Sequence, residues 1–258
     1  MFVLCVMIIV MILISIKIIK NNIASNIGVI NDFLSKYCSD PPVLDSKKFA
    51  WTKTFRDNQK TILNEYENYT KSYIIPKYKD INAETSSCDI NGGWKTLFLK
   101  IYGTNTTITN MFPVTTKLIE ECPCTLAFFS VFEPNTKLIR HRGVYKGVIR
   151  YHLPLIIPDE WDKCFINVNG RVLNWRIGED LMFDDIFLHH AENNTNQKRV
   201  VLFLDIKRDF KNPFLNLLNT ILLRFIKSND ILIDTVAKAN SFNLKKELSN
   251  RQNLHVNR

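Results

Sequence analysis

The chain has 258 residues, of which 46% are hydrophobic and 23% are charged, and its net charge is +9. This length and apolar content allow one sizeable core with a few added helices. The sequence has no zinc-finger spacing, no phosphate-binding glycine loop and no RNA-binding pattern of interleaved aromatic and basic residues, so we expect no nucleic-acid partner.

The N-terminus of the chain is strongly apolar. Residues 2–16 carry no charge, and Lys17 and Lys20 follow them. The run is near the lower length limit for crossing a bilayer and lacks the basic start and cleavage site of a signal peptide, so we predict an uncleaved transmembrane anchor over residues 1–20. A buried core helix is disfavoured because the run has no polar face. The positive-inside tendency then predicts a single-pass membrane protein whose catalytic domain faces the cytosol.

The six cysteines are scattered along the chain, and the one close pair is Cys122 and Cys124. That pair is too isolated for a zinc site. We therefore predict reduced thiols in a cytosolic domain, and a luminal domain with one or two disulfides is the alternative.

The segment after the anchor is predicted to be a juxtamembrane connector over residues 21–45. It contains a short helix over residues 27–37, and Pro41 and Pro42 end it. Residues 46–74 then place apolar side chains at helical spacing among charged ones, which predicts one helix.

The centre of the chain changes to short apolar segments. Residues 94–103 predict a strand, and residues 112–122 predict a short helix. From residue 125 onward the segments TLAFFSVFE, GVIRYHLPLIIP, CFINVNGRVLNW, LMFDD and RVVLFLDIKR follow at close intervals, and Asn169 and Gly170 form a hairpin signal. Short antiparallel strands with tight turns predict a mainly β fold of the sandwich or jelly-roll type.

The last part of the chain is helical in pattern. We predict C-terminal helices over residues 211–242 and a polar tail over residues 243–258. The predicted functional domain therefore covers residues 46–210.

Two basic residues, Arg150 and His152, lie two positions apart in a predicted strand. Because alternate residues of a strand share a face, both side chains point the same way. The sequence leaves two interpretations open. The pair lies on an exposed polar face, which is common in antiparallel sheets, or on an inward face that binds a small acidic ligand.

A second cluster contains His189 and His190, with Arg199 at the start of the next predicted strand. Imidazole nitrogens suit Fe(II), and an arginine can bind a carboxylate with two parallel hydrogen bonds. A neighbouring antiparallel strand is expected to bring Arg199 back beside the histidines. The alternative is an ordinary strand–turn–strand with a surface histidine.

Several runs of the sequence resemble the aspartyl/asparaginyl β-hydroxylase family. They are GW-x-x-x-x-LK-x-YG at residues 93–103, KLIRHRGVYKGVIRYHLPLIIP at residues 137–158 and the HHAEN segment at residues 189–193. In pattern the chain is most similar to the bacterial lipid A 2-hydroxylase branch, over roughly residues 40–230. The resemblance implies a double-stranded β-helix, a cupin-like jelly roll, that catalyses an Fe(II)- and 2-oxoglutarate-dependent dioxygenase reaction.

The resemblance implies that His141 and His189 bind the iron. Most enzymes of this chemistry add a carboxylate, and the lipid branch has H-x-D where this chain has Gly143. The animal branch also has glycine there, so the substitution is compatible with activity. We expect Gly143→Asp to tighten iron binding. His190 is not expected to be a ligand, because other residue types replace it in both branches.

The resemblance also implies a site for the cosubstrate. Arg199 matches the arginine that binds the distal carboxylate of 2-oxoglutarate, and Ser130 assists it. Arg150 and His152 match cosubstrate contacts, and Trp94 matches an aromatic residue of the substrate pocket.

The substrate stays open at this point. The family name and Gly143 favour the β-carbon of a protein Asp or Asn side chain, and this is our prediction from the sequence. The membrane anchor and the closer pattern favour a membrane-lipid acyl chain. The third alternative is an inactive binding module with a degenerate iron site.

Overall fold

A computed structural model describes residues 27–38, 40–83, 85–227 and 232–242. The predicted anchor over residues 1–20 and the predicted polar tail over residues 243–258 lie outside these ranges. Across the described residues, the structure contains no helix with the length and apolar character needed to cross a membrane.

The domain is built on two antiparallel β-sheets. The strands of the larger sheet are, in spatial order, β1 (Val43–Leu44), β9 (Leu181–Phe183), β6 (Val148–Ile156), β11 (Arg199–Lys207), β4 (Cys124–Phe132), β2 (Trp94–Ile101) and β3 (Thr104–Asn105). The strands of the smaller sheet are β5 (Lys137–His141), β10 (His189–Asn193), β7 (Cys164–Val168) and β8 (Arg171–Asn174).

The path of the chain between these sheets defines the fold. The larger sheet contains the strand order β9-β6-β11-β4, and the smaller sheet contains the order β5-β10-β7-β8. From β4 to β11, each strand therefore lies in the other sheet from the strand before it, except within the β7–β8 hairpin. Asn169 and Gly170 make that hairpin turn with positive φ angles of 51° and 87°. Eight strands arranged in this way form a jelly roll, which confirms the predicted double-stranded β-helix.

Helices lie before, between and after the strands along the chain. They are α1 (residues 27–35), α2 (Ala50–Asp57), α3 (Gln59–Ser72), α4 (Tyr78–Ile81), α5 (Pro113–Glu120), α6 (Pro213–Lys227) and α7 (residues 232–242). The prediction of one helix over residues 46–74 is wrong. The helix breaks at Asn58, whose side-chain amide donates a 2.9 Å hydrogen bond to the carbonyl of Thr54. Asparagine competes with the helical backbone in this way.

The alternation of side chains along the larger sheet creates two separate cores. One face carries Phe129 and Tyr151, which pack against α2 and α3. The other face carries Phe128 and Phe203, which stack at 4.1 Å between the two sheets. A third cluster joins α1, α6 and the segment after β5. His152 lies directly opposite Phe203 on the neighbouring strand. Its side chain therefore also points between the sheets.

Candidate functional site

One cavity between the two sheets contains the whole set of residues predicted from the sequence. The seven that line it are Trp94, Ser130, His141, Arg150, His152, His189 and Arg199. The exposed-face interpretation of Arg150 and His152 is therefore wrong. The interpretation of the second cluster as a strand–turn–strand with a surface histidine is also wrong, because His189 is only 3% exposed.

His141 and His189 form a pair at the edge of this cavity. They lie opposite each other on β5 and β10, and their ring centroids are 4.2 Å apart. In each ring Nδ1 lies 2.8 Å from the carbonyl oxygen two residues earlier, which in His189 is that of Phe187. A carbonyl fixes Nδ1 as the protonated nitrogen, so Nε2 keeps its lone pair for a metal.

Burial keeps both imidazoles neutral. It lowers the pKa of His141, and it lowers the pKa of His189 to about 3, with a further contribution from the neighbouring His141. Neutral imidazole is the form that binds iron. The pair thus has the protonation state and the tautomer of a metal ligand set.

Arg199 is a buried cation without an acidic partner among the described residues. It is 1% exposed, it donates to the backbone oxygen and hydroxyl of Ser130 at 3.1 and 3.3 Å, and its Nε has no hydrogen-bond partner. Its guanidinium carbon lies 3.6 Å from the ring centroid of Phe132 and 4.4 Å from that of Trp175. Burial lowers its pKa to about 10. This environment favours an anionic ligand.

Trp175, which the sequence analysis missed, determines the tautomer of His152. The indole nitrogen Nε1 is 3.2 Å from Nδ1 of His152, and an indole can only donate. Nδ1 therefore accepts, and the proton of the neutral ring lies on Nε2, which is buried and has no partner. Burial holds the pKa of His152 well below its usual range. His152 consequently offers one N–H donor to a ligand.

Ser130 connects Arg199 to Trp94. Its hydroxyl oxygen accepts a 2.9 Å hydrogen bond from the indole Nε1 of Trp94 as well as the bond from Arg199. With its oxygen occupied by two donors, the hydroxyl retains its own proton to donate. Ser130 is therefore a second donor beside the unpaired arginine.

Arg150 differs from Arg199 because its charge is already balanced. It pairs with Asp185 at 2.8 Å and with Asp205 at 3.0 Å, and it stacks over Phe203. It lines the cavity, but its guanidinium is held by two acids. A direct contact with the cosubstrate remains a prediction.

Asp185 occupies the space beside Gly143. A Cβ atom at position 143 would overlap the carboxyl group of Asp185, and the backbone N–H of Gly143 donates to the Asp185 carbonyl at 2.6 Å. The carboxyl oxygen Oδ1 of Asp185 is buried without a partner, and burial raises the pKa of this acid to about 6. The glycine thus makes room for a carboxylate that comes from another segment.

The described residues contain no group of three or more His, Cys, Asp or Glu side chains placed to hold a metal. The candidate centre therefore consists of two histidines, with Asp185 nearby. The same described part of the chain also contains no disulfide.

The predicted neighbour relation between the histidine strand and the arginine strand is wrong. Strand β10 pairs with β5 and β7, whereas β11 pairs with β4 and β6 in the other sheet. Arg199 reaches the cavity across the interior of the jelly roll. His190 lies on the opposite face of β10 from His189 and contacts Phe165, in agreement with its exclusion as a ligand.

The comparison with known protein families gives a clear result. The sequence model of the aspartyl/asparaginyl beta-hydroxylase family matches residues 56–209, which is more than half of the chain. The chain belongs to this family. The matched range includes both histidines and Arg199.

Two relatives differ in the substrate class that their names give. An ornithine lipid ester-linked acyl 2-hydroxylase of Rhizobium tropici is 37% identical over 177 residues, which are 67% of this chain and 63% of that protein. The human aspartyl/asparaginyl beta-hydroxylase is 30% identical over 100 residues, which are 36% of this chain and 13% of that protein. The chain therefore spans less than two thirds of these relatives.

Among solved structures, a Pseudomonas putida prolyl-4-hydroxylase aligns with 60% of this chain and 88% of that chain. The sequence identity is 11% and the TM-score is 0.38. At this level the fold assignment rests on the strand order of the domain itself.

Proposed function

We propose that this protein is an Fe(II)- and 2-oxoglutarate-dependent hydroxylase. The observation that carries the proposal is the unpaired, buried Arg199 in the same cavity as two neutral histidines with available Nε2 atoms. A dicarboxylate that reaches both places would neutralise the arginine and complete the surroundings of the metal. The residues present therefore fit both groups.

Each residue would have a definite task. Nε2 of His141 and of His189 would hold the iron, and Arg199 would bind the distal carboxylate of 2-oxoglutarate. The hydroxyl of Ser130 and Nε2 of His152 would donate to cosubstrate oxygens, because both have a proton to give. Bound iron would supply the oxidative chemistry, in which O₂ and 2-oxoglutarate yield succinate, CO₂ and one hydroxylated carbon.

The walls of the cavity support this chemistry by excluding water. Phe132, Trp175, Phe183 and Phe203 line it and are at most 6% exposed. A dry environment strengthens the charge-assisted bonds of Arg199 and protects reactive species.

For the substrate we propose a membrane-lipid acyl chain. The alignment with the lipid acyl 2-hydroxylase is longer and has the higher identity, and it covers 67% of this chain against 36% for the human peptidyl enzyme. The peptidyl substrate that the sequence favoured has no specific support from these comparisons. It remains the second candidate because Gly143 resembles the animal branch.

The test measures succinate release by the full chain with Fe(II), 2-oxoglutarate and O₂. One reaction contains vesicles with ester-linked acyl lipids, and the other contains Asp/Asn peptides. The proposal predicts release that depends on the vesicles, with the lipid product heavier by one oxygen atom, and no release by His141→Ala. Release with peptides alone would favour the second candidate. Release with neither, from protein that binds iron, would indicate the binding module.

A further inference from the structure

Two helices outside the jelly roll each expose several large apolar side chains. On α6, Phe214, Leu217 and Ile221 are 67%, 58% and 40% exposed. On α1 and the turn that follows, Val29, Phe33 and Tyr37 form a similar row. The spacing of three or four residues places each row on one side of its helix. Each helix therefore has a second apolar face beyond the one it buries.

The buried faces of both helices meet in one cluster. Leu34 of α1 and Leu215, Leu222 and Leu223 of α6 pack there with Tyr145. Because the two helices share this cluster, they are neighbours, and we call their two outward rows together the α1–α6 face. We define it by Val29, Phe33, Tyr37, Phe214, Leu217 and Ile221.

The charges around this face are mainly positive. Helix α6 contains Arg224 and Lys227 and no acidic residue, and Asp32 is the one acidic residue of α1. Beside α6 lies a cleft of about 240 Å³ lined by Lys207, Arg224 and Lys227, with no acidic side chain in its lining. Cations beside an apolar helix face are typical of helices that lie on anionic membranes.

We propose that the α1–α6 face docks on an anionic lipid bilayer, with its apolar side chains in the acyl boundary and the cleft over lipid phosphates. The sequence supports a bilayer as the occupant, because the uncharged apolar run 2–16 precedes α1 by only ten residues. The inference deepens the proposed function, and it rests on that function only for the identity of the lipid as substrate.

The same helices hold the segment that follows His141. The side chain of Asn31 on α1 donates to the carbonyl of Val144 and accepts from the N–H of Lys146, both at 2.8 Å. On α6, Asn219 accepts from the hydroxyl of Tyr145 at 2.8 Å. The segment after His141, in which Val144 is 65% exposed, is therefore held by the two helices that would dock.

The experiment uses a fluorescent label at a single position of the full chain. In a Cys5→Ser background, Leu217→Cys places the label on the proposed face. Val172→Cys is the matched control, because Val172 on β8 is 56% exposed and lies outside that face. The unmodified background protein measures labelling of the native thiols. Vesicles of phosphatidylcholine and phosphatidylglycerol carry nitroxide groups on their acyl chains, which quench a label in the bilayer.

The proposal predicts quenching several-fold stronger at position 217 than at position 172, and a marked loss of the difference when Arg224→Glu and Lys227→Glu are added. Equal quenching at both positions, or none at 217 in vesicle-bound protein, would overturn it. Shielding of the 217 label that rises with protein concentration without vesicles would overturn it in favour of a second copy. The assay needs neither iron nor 2-oxoglutarate, so its failure is distinct from failure of the catalytic proposal.

Discussion

Two buried arginines with opposite surroundings provide a sharp test of the anion site. Arg199 has no acidic partner among the described residues, whereas Arg208 pairs with Asp184 at 2.6 Å and with Asp40 at 2.5 Å. Both are at most 1% exposed. We predict that Arg199→Met changes the stability of the ligand-free protein little, and that Arg208→Met destabilises it strongly.

The magnitude follows from the local interactions. Burial lowers the pKa of Arg199 from 12.5 to about 10, so its positive charge costs the ligand-free fold about 3 kcal/mol. Because the folded pKa is the lower one and pH 7 lies below both, this cost is fully present at neutral pH. Methionine removes it but also removes the bonds to Ser130 and the stacking on Phe132 and Trp175, together worth roughly 2–3 kcal/mol. The net change is therefore within about 1 kcal/mol.

The two variants should separate in two assays. Arg208→Met removes two ion pairs and leaves the buried Asp184 with Lys146 as its remaining cationic partner, which costs roughly 3–5 kcal/mol and about 10 °C in thermal midpoint for a chain of this size. Affinity for 2-oxoglutarate, measured by anaerobic calorimetry with Fe(II), should fall at least 30-fold in Arg199→Met, since a lost buried charge pair costs roughly 2–5 kcal/mol. Equal destabilisation by both variants, or unchanged affinity in Arg199→Met, would refute the reasoning.

Three further experiments test other parts of the site. Trp175→Phe keeps an aromatic ring beneath Arg199 but removes the indole donor to His152. Calorimetry should then show the affinity for 2-oxoglutarate lowered by roughly 3- to 30-fold, as for the loss of one hydrogen bond. Unchanged affinity would show that Trp175 does not position His152 for the cosubstrate. Contrary to the expectation from sequence, Gly143→Asp should lower thermal stability without tightening Fe(II) binding, because the new side chain collides with Asp185. Adding Asp185→Gly to this variant should restore the stability. A Gly143→Asp protein as stable as the wild type would contradict this. His189→Ala should lower Fe(II) affinity at least 100-fold and His190→Ala should leave it unchanged, and equal losses would contradict the assignment of the faces of β10.

The five longer strands of the larger sheet, β2, β4, β6, β9 and β11, and the β7–β8 hairpin were predictable because local pattern and packing agree in them. Strand β11 is apolar from Val200 to Leu204 and buried on both faces, and the β7–β8 turn carries its own signal in Asn169 and Gly170. Strand β5 was not predicted. Three of its five residues, Lys137, Ile139 and Arg140, are exposed, so its sequence has little apolar alternation and its pairing with β10 defines it.

The residues that line the candidate cavity were predictable, whereas their partners were not. Resemblance located the histidines and Arg199, but the contact between Gly143 and Asp185 joins positions 42 apart in sequence. It depends on the register that places His189 opposite His141. Trp175 was not predicted as a site residue because its role depends on the ring 23 residues away that it contacts. Long-range register, which local sequence does not encode, determines both features.

The central claim is that His141 and His189 form a competent iron centre together with a bound dicarboxylate. The most direct measurement is anaerobic titration of the full chain with Fe(II) and 2-oxoglutarate, followed by the visible charge-transfer band of the chelated complex. The account predicts a saturable band in the wild type that is absent in His141→Ala and needs far more 2-oxoglutarate in Arg199→Met. A folded wild-type protein without this band would contradict the account.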